Sequence, residues 1–323
     1  MTRVSEHRFC VAPMMDWTDR HERNFLRLFT RRAFLYTEML TSAALVNGDS
    51  DFLLAYAPEE QPLGIQLGGS DPVELARAAS LAEQAGYREI NLNIGCPSDR
   101  VQSGRFGACL MREPELVARC VAAIRDRVQI PVTVKCRIGV DDQDSDDNLS
   151  RFIEQVADAG CELFIIHARI AVLQGLTPKE NREVPPLNYA RVYLMKERFP
   201  HLELIINGGI LSLDVGLAQL THMDGVMVGR EAYHNPYLLQ QVDTLFYGQQ
   251  PQEQSRVEAL TRFLPYVERE LAAGTALHHM TRHILGLFKG VRGGKAFRRH
   301  LSENATRSNA GIEVLLDAMS YVS

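Results

Sequence analysis

The sequence predicts an α/β fold, a (β/α)8 TIM barrel followed by a small helical-bundle domain, and three observations support this prediction. Eight short β-branched or apolar segments recur between residues 9 and 230, and stretches with helical signals separate them. Most of the eight are continuous apolar runs, as expected for parallel strands that are covered on both faces. The span of residues 9–230 also exceeds about 200 residues, the lower limit for such a barrel.

The predicted strands follow one another from the N-terminus as short segments. They are FCVAPM (9–14), FLYTEM (34–39), LGIQLGG (63–69), EINLNIG (89–95), VTVKCRIG (132–139), LFIIHA (163–168), LELIING (202–208) and GVMVGR (225–230). An open nucleotide-binding sheet is the main alternative to a closed barrel. It is disfavoured because the chain has neither a GxGxxG motif after an early strand nor a P-loop.

The helical signals between these strands are clearest after the third one. Asp71-Pro72-Val73-Glu74 has the pattern of a capping box with proline at the first helical position, and Gly86 is typical of the end of that helix. Two connections, after the fourth and sixth strands, are long. In a parallel barrel they lie at the C-terminal face, where such folds carry their chemistry.

The regular recurrence of strands stops after about residue 240. The segment GQQPQEQS (248–255) is typical of a polar linker. Four helical stretches follow it, at 256–273, 276–289, 295–307 and 311–321. We therefore predict a catalytic barrel over residues 1–245, a linker over 246–255 and a helical domain over 256–323.

The composition is that of a globular protein, since 46% of the 323 residues are hydrophobic and 23% are charged. No apolar run reaches the roughly 18 residues that a membrane span needs, and the start of the chain lacks the apolar core of a signal peptide. The six cysteines are scattered without a CxxC pair. We therefore expect reduced thiols in the cytoplasm, with no membrane segment and no metal site.

The net charge of −5 is unevenly distributed along the chain. Residues 251–323 hold ten Lys/Arg and seven Asp/Glu, a balance of +3, whereas the rest holds 25 and 33, a balance of −8. No acidic residue lies between Leu271 and Ser302, but six basic ones do: Arg282, Lys289, Arg292, Lys295, Arg298 and Arg299. A polyanionic partner and a merely solvated helical face both fit this pattern.

The C-terminal ends of the predicted strands carry polar, small or cationic residues, unlike a packing layer. They include Pro13, Met14, Gln66, Asn93, Cys96, Lys135, His167, Asn207, Gly208, Gly209, Gly229 and Arg230. The glycines after strands seven and eight would let backbone amides approach a phosphate, and Arg230 would add a charge-assisted contact. The alternative is that Gly208 and Gly209 only permit a tight turn.

Three of these side chains would suit a flat polar ring across the barrel mouth. Lys135, His167 and Gln66 offer one cation and two hydrogen-bonding groups. Flavin mononucleotide has one phosphate and such a ring, and a lysine near its pyrimidine edge would stabilise the reduced form. A phosphorylated sugar would fit the same phosphate site, and His167 could instead be a core histidine.

Cys96 opens the long connection after the fourth strand. Gly95 before it permits an unusual backbone conformation and Pro97 after it fixes φ, a combination typical of a defined loop geometry. Such a cysteine could be a nucleophile, a proton donor or a bystander. Because a thiol is mostly protonated at neutral pH, it could act as a general acid toward a carbon that has just received a hydride.

Two sequence patterns resemble metal-binding motifs, but each lacks residues that its motif requires. Asp142, Asp144 and Asp146 match the first ligands of a calcium loop, but Asp147 and Ile153 stand where glycine and glutamate are required. We interpret DDQDSDD as a solvated acidic loop. His279 and His283 are spaced by one helical turn, without the glutamate of a metalloprotease motif.

The chain resembles the tRNA-dihydrouridine synthases over nearly its whole length. The resemblance lies in VAPMMDWTDR (11–20), YTEM (36–39), QLGGSDP (66–72), INLNIGCPSDRVQSGRFGACLM (90–111), VTVKCRIGVDD (132–142), FIIHAR (164–169), NGGI (207–210) and DGVMVGR (224–230). PKENREVPPLNY (178–189) and FRRHLSENA (297–305) resemble the A-type branch of that family. The motif around Cys96 is the most specific of these.

The resemblance implies a role for each candidate residue. FMN would be bound by Pro13, Met14, Gln66, Lys135, His167, Asn207, Gly208, Gly209, Gly229 and Arg230. Cys96 would be the proton donor. tRNA would be contacted by Asn93, close to the target uracil, and by Lys179, Arg182, Arg298 and Arg299. No metal is implied.

The resemblance also implies the reaction, an NADPH-dependent reduction of uridines 20 and 20a in the tRNA D-loop. NADPH would reduce FMN, FMN would give a hydride to C6 of the uracil, and Cys96 would protonate C5. The base would have to be flipped out of the folded tRNA to reach the flavin, and one monomer would hold one tRNA. The alternatives are an FMN oxidoreductase of a free small molecule and an RNA-binding protein without chemistry.

Overall fold

Eight parallel strands form a closed barrel in the computed structural model, which describes residues 5–98, 101 and 104–322. Neighbouring strands pair in chain order, and a bridge between Cys10 and Phe34 joins the first strand to the second. The strands are β1 (Phe9–Val11), β2 (Leu35–Thr41), β3 (Leu63–Gly68), β4 (Glu89–Ile94), β5 (Val132–Arg137), β6 (Leu163–His167), β7 (Glu203–Asn207) and β8 (Gly225–Val228). The predicted TIM barrel is confirmed.

Helices follow the strands around the outside of the barrel. In the described residues they are α1 (Arg20–Leu26), α2 (Ser42–Asn47), α3 (Ser50–Leu54), α4 (Pro72–Gln84), α5 (Pro114–Arg125), α6 (Asp146–Asp158), α7 (Tyr189–Arg198), α8 (Leu213–Gln219), α9 (Arg230–His234) and α10 (Val242–Tyr247). Most begin at a side-chain cap; Asp71, for example, accepts the backbone N–H of Glu74 at 2.8 Å.

Inward-facing side chains fill the barrel, and they divide into an apolar and a polar part. The apolar part consists of Cys10, Ala12, Phe34, Tyr36, Leu163, Ile165, Ile205 and Met227, against which Met14 packs. The polar part lies on β3, β4 and β5 and includes the buried side chains of Gln66, Glu89, Asn91 and Thr133. The barrel is therefore a packed core that becomes polar on one side.

Four further helices follow residues 248–255, which contain no helix or strand. They are α11 (Arg256–Ala272), α12 (Leu277–Ile284), α13 (Gly294–Asn304) and α14 (Ile312–Met319). The second of them is shorter than the helix predicted over 276–289. It ends at Ile284, and the backbone at Gly286 lies so close to His234 that a Cβ there would be 2.6 Å from the His234 carbonyl oxygen.

Helices α11 and α12 dock on α1 of the barrel. Phe25 and Phe263 place their ring centroids 5.1 Å apart, in an apolar core that is continuous from the barrel to these helices. Polar contacts surround this pair: Arg20–Glu270 at 2.8 Å, His21–Tyr266 at 2.7 Å, Asp19–Arg282 at 2.5 Å and Asp19–His283 at 3.0 Å. The predicted division into a barrel, a linker and a helical domain remains a prediction.

The acidic loop after β5 is exposed, but its carboxylates pair with arginines. Asp144 and Asp146 contact Arg191, and Asp147 lies 3.3 Å from Arg198. The loop therefore contributes ion pairs with α7 and its neighbourhood as well as solvated charge. Among the described residues, no helix is long and apolar enough to span a membrane.

Candidate active site

The register of the parallel strands brings the predicted residues together at one end of the barrel. Asn93 on β4 is paired with Lys135 on β5, and His167 on β6 is paired with Asn207 on β7. Because parallel strands end at the same face, these side chains surround one mouth. This register is consistent with the prediction that the strand ends form a single site.

Cations crowd the β5–β6 side of this mouth. Burial, with a smaller contribution from Arg137, lowers the pKa of Lys135 to about 8. Burial also lowers the pKa of His167 well below its usual value, and Arg137 and Lys135 lower it further, with Arg169 and Arg182 adding to the effect. His167 is therefore neutral at physiological pH and can donate or accept a hydrogen bond.

His167 keeps one buried polar atom without a partner. Its Nδ1 atom is inaccessible to solvent and has no hydrogen-bond partner among the described residues. A buried polar atom left unsatisfied costs free energy, about 1–3 kcal/mol. Functional sites are among the places where such atoms are found, since a ligand can supply the missing partner.

The turn after β7 requires glycine for a steric reason. Gly208 and Gly209 have φ angles of 108° and 70°, in the left-handed region. A Cβ on Gly209 would lie 2.4 Å from a methyl carbon of Leu187, and the Gly208 carbonyl accepts the Tyr189 hydroxyl at 2.7 Å. The turn itself therefore requires glycine at Gly209, and a contact of this turn with a phosphate remains a prediction.

Gly229 and Arg230 follow β8 under different constraints. The φ angle of Gly229 is −102°, and a Cβ there would lie 3.7 Å from Ala12 and 3.9 Å from Met14, at ordinary contact distance. A Cβ at this position would therefore meet no steric clash with its neighbours. Arg230 forms an ion pair with Glu183 at 2.6 Å, so an incoming phosphate would share the guanidinium with this carboxylate or replace it.

The Cys96 segment is pinned to the end of β4. The side-chain oxygen of Asn93 accepts the backbone N–H groups of Gly95 and Cys96 at 3.1 and 3.0 Å. The Cys96 carbonyl accepts the N–H of Ala108 at 2.9 Å, and Gly107 lies so close that its Cβ would be 2.6 Å from that carbonyl oxygen. The half-buried thiol donates to the Ser98 hydroxyl at 3.5 Å.

Arg137 connects several parts of the site, and its contacts were not predicted from the sequence. This buried side chain donates to the carbonyl oxygens of Gly95 at 2.9 Å, Ile170 at 2.8 Å and Asn181 at 2.9 Å. It therefore ties the connection after β4 to the connection after β6. Its position at the end of β5 was the only signal in the sequence.

Asn181 shapes the connection after β6, which carries Lys179 and Arg182. Its fully buried amide donates to the Val172 carbonyl at 2.8 Å and accepts the N–H of Val172 at 2.8 Å. Lys179 and Arg182 are exposed on either side of it. Both are thus presented to solvent by a loop that is anchored from within.

The basic residues of the C-terminal helices divide into two groups. Arg282 and Lys289 pair with Asp19 and Glu231 of the barrel, so they serve docking. Arg298 and Arg299 lie on α13 and have no carboxylate in salt-bridge contact within the described part of the chain. Arg292 and Lys295 are exposed and likewise have no salt bridge among the described residues, so the unpaired basic residues form one group with Arg298 and Arg299.

Comparison with known proteins decides the family. The family described as dihydrouridine synthase matches residues 10–322 of this chain. The chain belongs to this family. Dihydrouridine synthases are oxidoreductases, and the family assignment covers the barrel and the C-terminal helices alike.

Several relatives within this family are similar over nearly their full length. A tRNA-dihydrouridine(20/20a) synthase of Escherichia coli K12 is 59% identical over 317 residues, covering 98% of this chain and 92% of that protein. The enzyme of the same name from Vibrio cholerae is 57% identical over 316 residues, covering 98% and 96%. That from Shewanella oneidensis is 59% identical over 307 residues, covering 95% and 91%.

One solved structure shares the fold of this dihydrouridine synthase family member at low sequence identity. A 2-naphthoyl-CoA reductase complex superposes with a TM-score of 0.57 at 12% identity, covering 73% of this chain and 49% of that one. This likeness supports the barrel architecture. The individual roles predicted for the site residues remain predictions.

Proposed function

We propose that this protein reduces uridines 20 and 20a of tRNA to 5,6-dihydrouridine, with FMN as cofactor and NADPH as reductant. The observation that carries the proposal is the meeting of Cys96, Lys135 and His167 at one barrel mouth in a chain of this family. The names of the relatives, at 57–59% identity, support the substrate and its positions.

The residues at the mouth fit FMN. Nδ1 of His167 lacks a hydrogen-bond partner among the described residues, and burial lowers the pKa of Lys135 to about 8, so that its side chain is still cationic at pH 7. An electron-rich ring would give Nδ1 of His167 a hydrogen-bond partner and would stabilise the charge on Lys135. Gln66 and Met14 line the barrel side, Pro13 precedes Met14, and Asn207 holds the end of β7 by donating to the Met227 carbonyl at 2.7 Å.

The phosphate of FMN would lie between the glycine turns. Gly208 and Gly209 form a turn with left-handed φ angles after β7, and the absence of a side chain at Gly229 leaves space beside Met14. Arg230 supplies the charge-assisted contact. Together these groups would bind one phosphate and orient the ring toward Lys135 and His167.

The chain's own contribution to the chemistry is a proton. The backbone N–H groups of Gly95 and Cys96 both donate to the side-chain oxygen of Asn93, so the backbone that carries the thiol is fixed at the mouth. When bound, FMN supplies the hydride for C6 of the uracil after its own reduction by NADPH. Cys96 then gives its proton to C5, and the product is an uncharged dihydrouracil ring.

The tRNA would be held by two basic surfaces. Lys179 and Arg182 are exposed beside the mouth, and Arg298 and Arg299 lie on α13. Such contacts bind phosphates without reading sequence and make the affinity depend on salt. The target base must be flipped from its stack to reach the barrel, and Asn93 would lie beside it.

The test uses tRNA from cells that lack dihydrouridine. The purified protein is incubated with this tRNA, FMN and NADPH, and the digested nucleosides and D-loop fragments are analysed by mass spectrometry. We expect dihydrouridine at positions 20 and 20a. Turnover of NADPH with a free pyrimidine or enone, but no dihydrouridine in tRNA, would instead favour a small-molecule oxidoreductase.

A further inference from the structure

A line of buried side chains runs through the polar half of the barrel. Glu89 accepts the Thr133 hydroxyl at 2.6 Å, and Thr133 in turn accepts the side-chain amide of Asn91 at 2.8 Å. Asn91 accepts Nε2 of Gln66 at 2.8 Å, and Gln66 accepts Nδ2 of Asn93 at 2.8 Å. These five side chains, from Glu89 to Asn93, are called the barrel relay below.

The direction of every hydrogen bond in the barrel relay follows from its two ends. At the lower end, the carboxylate of Glu89 can only accept, so the Thr133 hydroxyl must donate its one hydrogen to Glu89. At the upper end, the backbone N–H groups of Gly95 and Cys96 can only donate, so Asn93 must turn its oxygen toward them. Each amide in between has one orientation that satisfies both neighbours.

The charge at the lower end is supported by its surroundings. His7 lies 2.6 Å from the second oxygen of Glu89 and 3.5 Å from Glu203. Burial opposes a charge on His7, but Glu89 and Glu203 together outweigh burial and raise the pKa of His7 to about 10. The imidazolium of His7 therefore lies beside the Glu89 side chain. Tyr36 donates a further hydrogen bond to Glu89 at 2.8 Å.

We propose that Thr133 and Asn91 are positioning residues, which fix the amide orientations of Gln66 and Asn93 and thereby hold Cys96 in place. The inference rests on the proposed function in taking Cys96 as the proton donor. It deepens that function, because residues buried two and three links below the mouth would then control the geometry of the reaction. Among the described residues, neither of them has a hydrogen bond to Gly95 or Cys96.

One consequence concerns what the barrel mouth offers a base. Nδ2 of Asn93 uses one of its two hydrogens on Gln66, and its oxygen is already shared by two backbone groups. The remaining hydrogen makes Asn93 a donor toward a ligand. A carbonyl oxygen, as uracil carries, suits such a donor, whereas an amino group does not.

The experiment compares three substitutions in the FMN-loaded protein. Thr133→Val keeps the shape of the side chain but removes the link between Glu89 and Asn91. Thr133→Ser keeps the hydroxyl and should rescue the link. Tyr36→Phe is the matched control, because it removes another buried hydrogen bond to the same Glu89 oxygen without interrupting the barrel relay.

The first readout is the alkylation rate of Cys96 by iodoacetamide, mapped by mass spectrometry and divided by that of Cys109. Both thiols are half-buried, so Cys109 reports general loosening within the same molecule. We expect the ratio to change at least threefold in Thr133→Val and to stay within a factor of 1.5 in Thr133→Ser and Tyr36→Phe. This readout does not depend on tRNA or on the proposed reaction.

The second readout separates two kinetic steps. Thr133→Val should slow dihydrouridine formation by the prereduced enzyme at least tenfold, while bleaching of the flavin by NADPH stays within twofold of the wild type. An unchanged alkylation ratio in Thr133→Val, or the same change in Tyr36→Phe, would overturn the proposal. If Thr133→Val does not fold, Asn91→Leu breaks the adjacent link and is judged by the same criteria. A wild-type protein that forms no dihydrouridine would refute the function, and the alkylation ratios would still decide the relay.

Discussion

At the scale of single residues, Lys135 links the site to pH in the physiological range. Its pKa of about 8 means that the side chain is cationic below pH 8 and neutral above it. Its charged contribution to an electron-rich ligand is therefore present below pH 8 and lost as the pH rises. We expect the affinity for FMN, measured by flavin fluorescence quenching, to fall severalfold between pH 7 and pH 9.5.

The control for this pH dependence is Lys135→Arg. A guanidinium remains charged throughout this range, so the variant should bind FMN with an affinity that does not vary between pH 7 and pH 9.5, even if the affinity is lower. A wild-type pH profile in Lys135→Arg would show that another group titrates.

The role of the Cys96 thiol can be tested separately from FMN binding, because the hydrogen bonds of Cys96 lie within β4 and the connection that follows it. Cys96→Ala removes the thiol but keeps the backbone hydrogen bonds to Asn93. We expect normal FMN content and normal bleaching by NADPH, with dihydrouridine formation reduced at least a hundredfold in single-turnover assays. Cys109→Ala, the matched loss of a half-buried thiol, should retain the wild-type yield. Normal product from Cys96→Ala would remove it as the proton donor.

At the scale of elements, hydrogen bonds between the strand–helix connections hold the barrel mouth in shape. Arg137 joins the connections after β4 and β6 by hydrogen bonds to three carbonyl oxygens. Burial lowers its pKa to about 10, so it remains charged at neutral pH. Charge-assisted hydrogen bonds in a buried setting are worth about 1.5–3 kcal/mol each, and they are not additive.

Arg137→Met should therefore free both connections. We expect a loss of about 3 kcal/mol in urea unfolding and faster trypsin cleavage after Lys179 and Arg182. The control is Arg112→Met, which removes the exposed pairs with Asp141 and Asp142 and should cost less than about 1 kcal/mol. Equal effects of the two substitutions would contradict the central role of Arg137.

The elements also mark the limit of prediction from the sequence. All eight strands were predicted because parallel strands are apolar on both faces. The candidate residues at their ends were selected by their place in a barrel, and the roles that the family resemblance implies for them remain predictions. The contacts of Arg137 with Gly95 and Asn181 were not predicted, because they join residues 42 and 44 positions apart. Asn91 and Thr133 resemble ordinary strand residues until register and facing direction are known.

At the scale of the whole molecule, charge divides the C-terminal helices into a docking side and a free side. Asp19 caps α1 and receives hydrogen bonds from Arg282 and His283 of α12. Burial opposes its charge, but these partners hold the pKa of Asp19 well below its usual range. The docking carboxylate therefore stays ionised at neutral pH, and its stabilising contribution is lost only in acid.

The free side predicts how tRNA affinity depends on salt. Each phosphate contact contributes about 0.7–0.9 to the slope of log affinity against log salt. Changing Arg298 and Arg299 together to alanine should weaken tRNA binding and flatten that slope by about 1.5, measured by filter binding between low and physiological salt.

The matched control removes equal charge from the other end of the barrel. Arg88 and Arg127 are exposed near the N-terminal ends of the strands, after α4 and α5. Their double alanine variant should leave the slope unchanged, because the proposed tRNA-binding surfaces lie at the mouth and on α13. If both double variants flatten the slope equally, tRNA responds only to net charge, and α13 is not part of the interface.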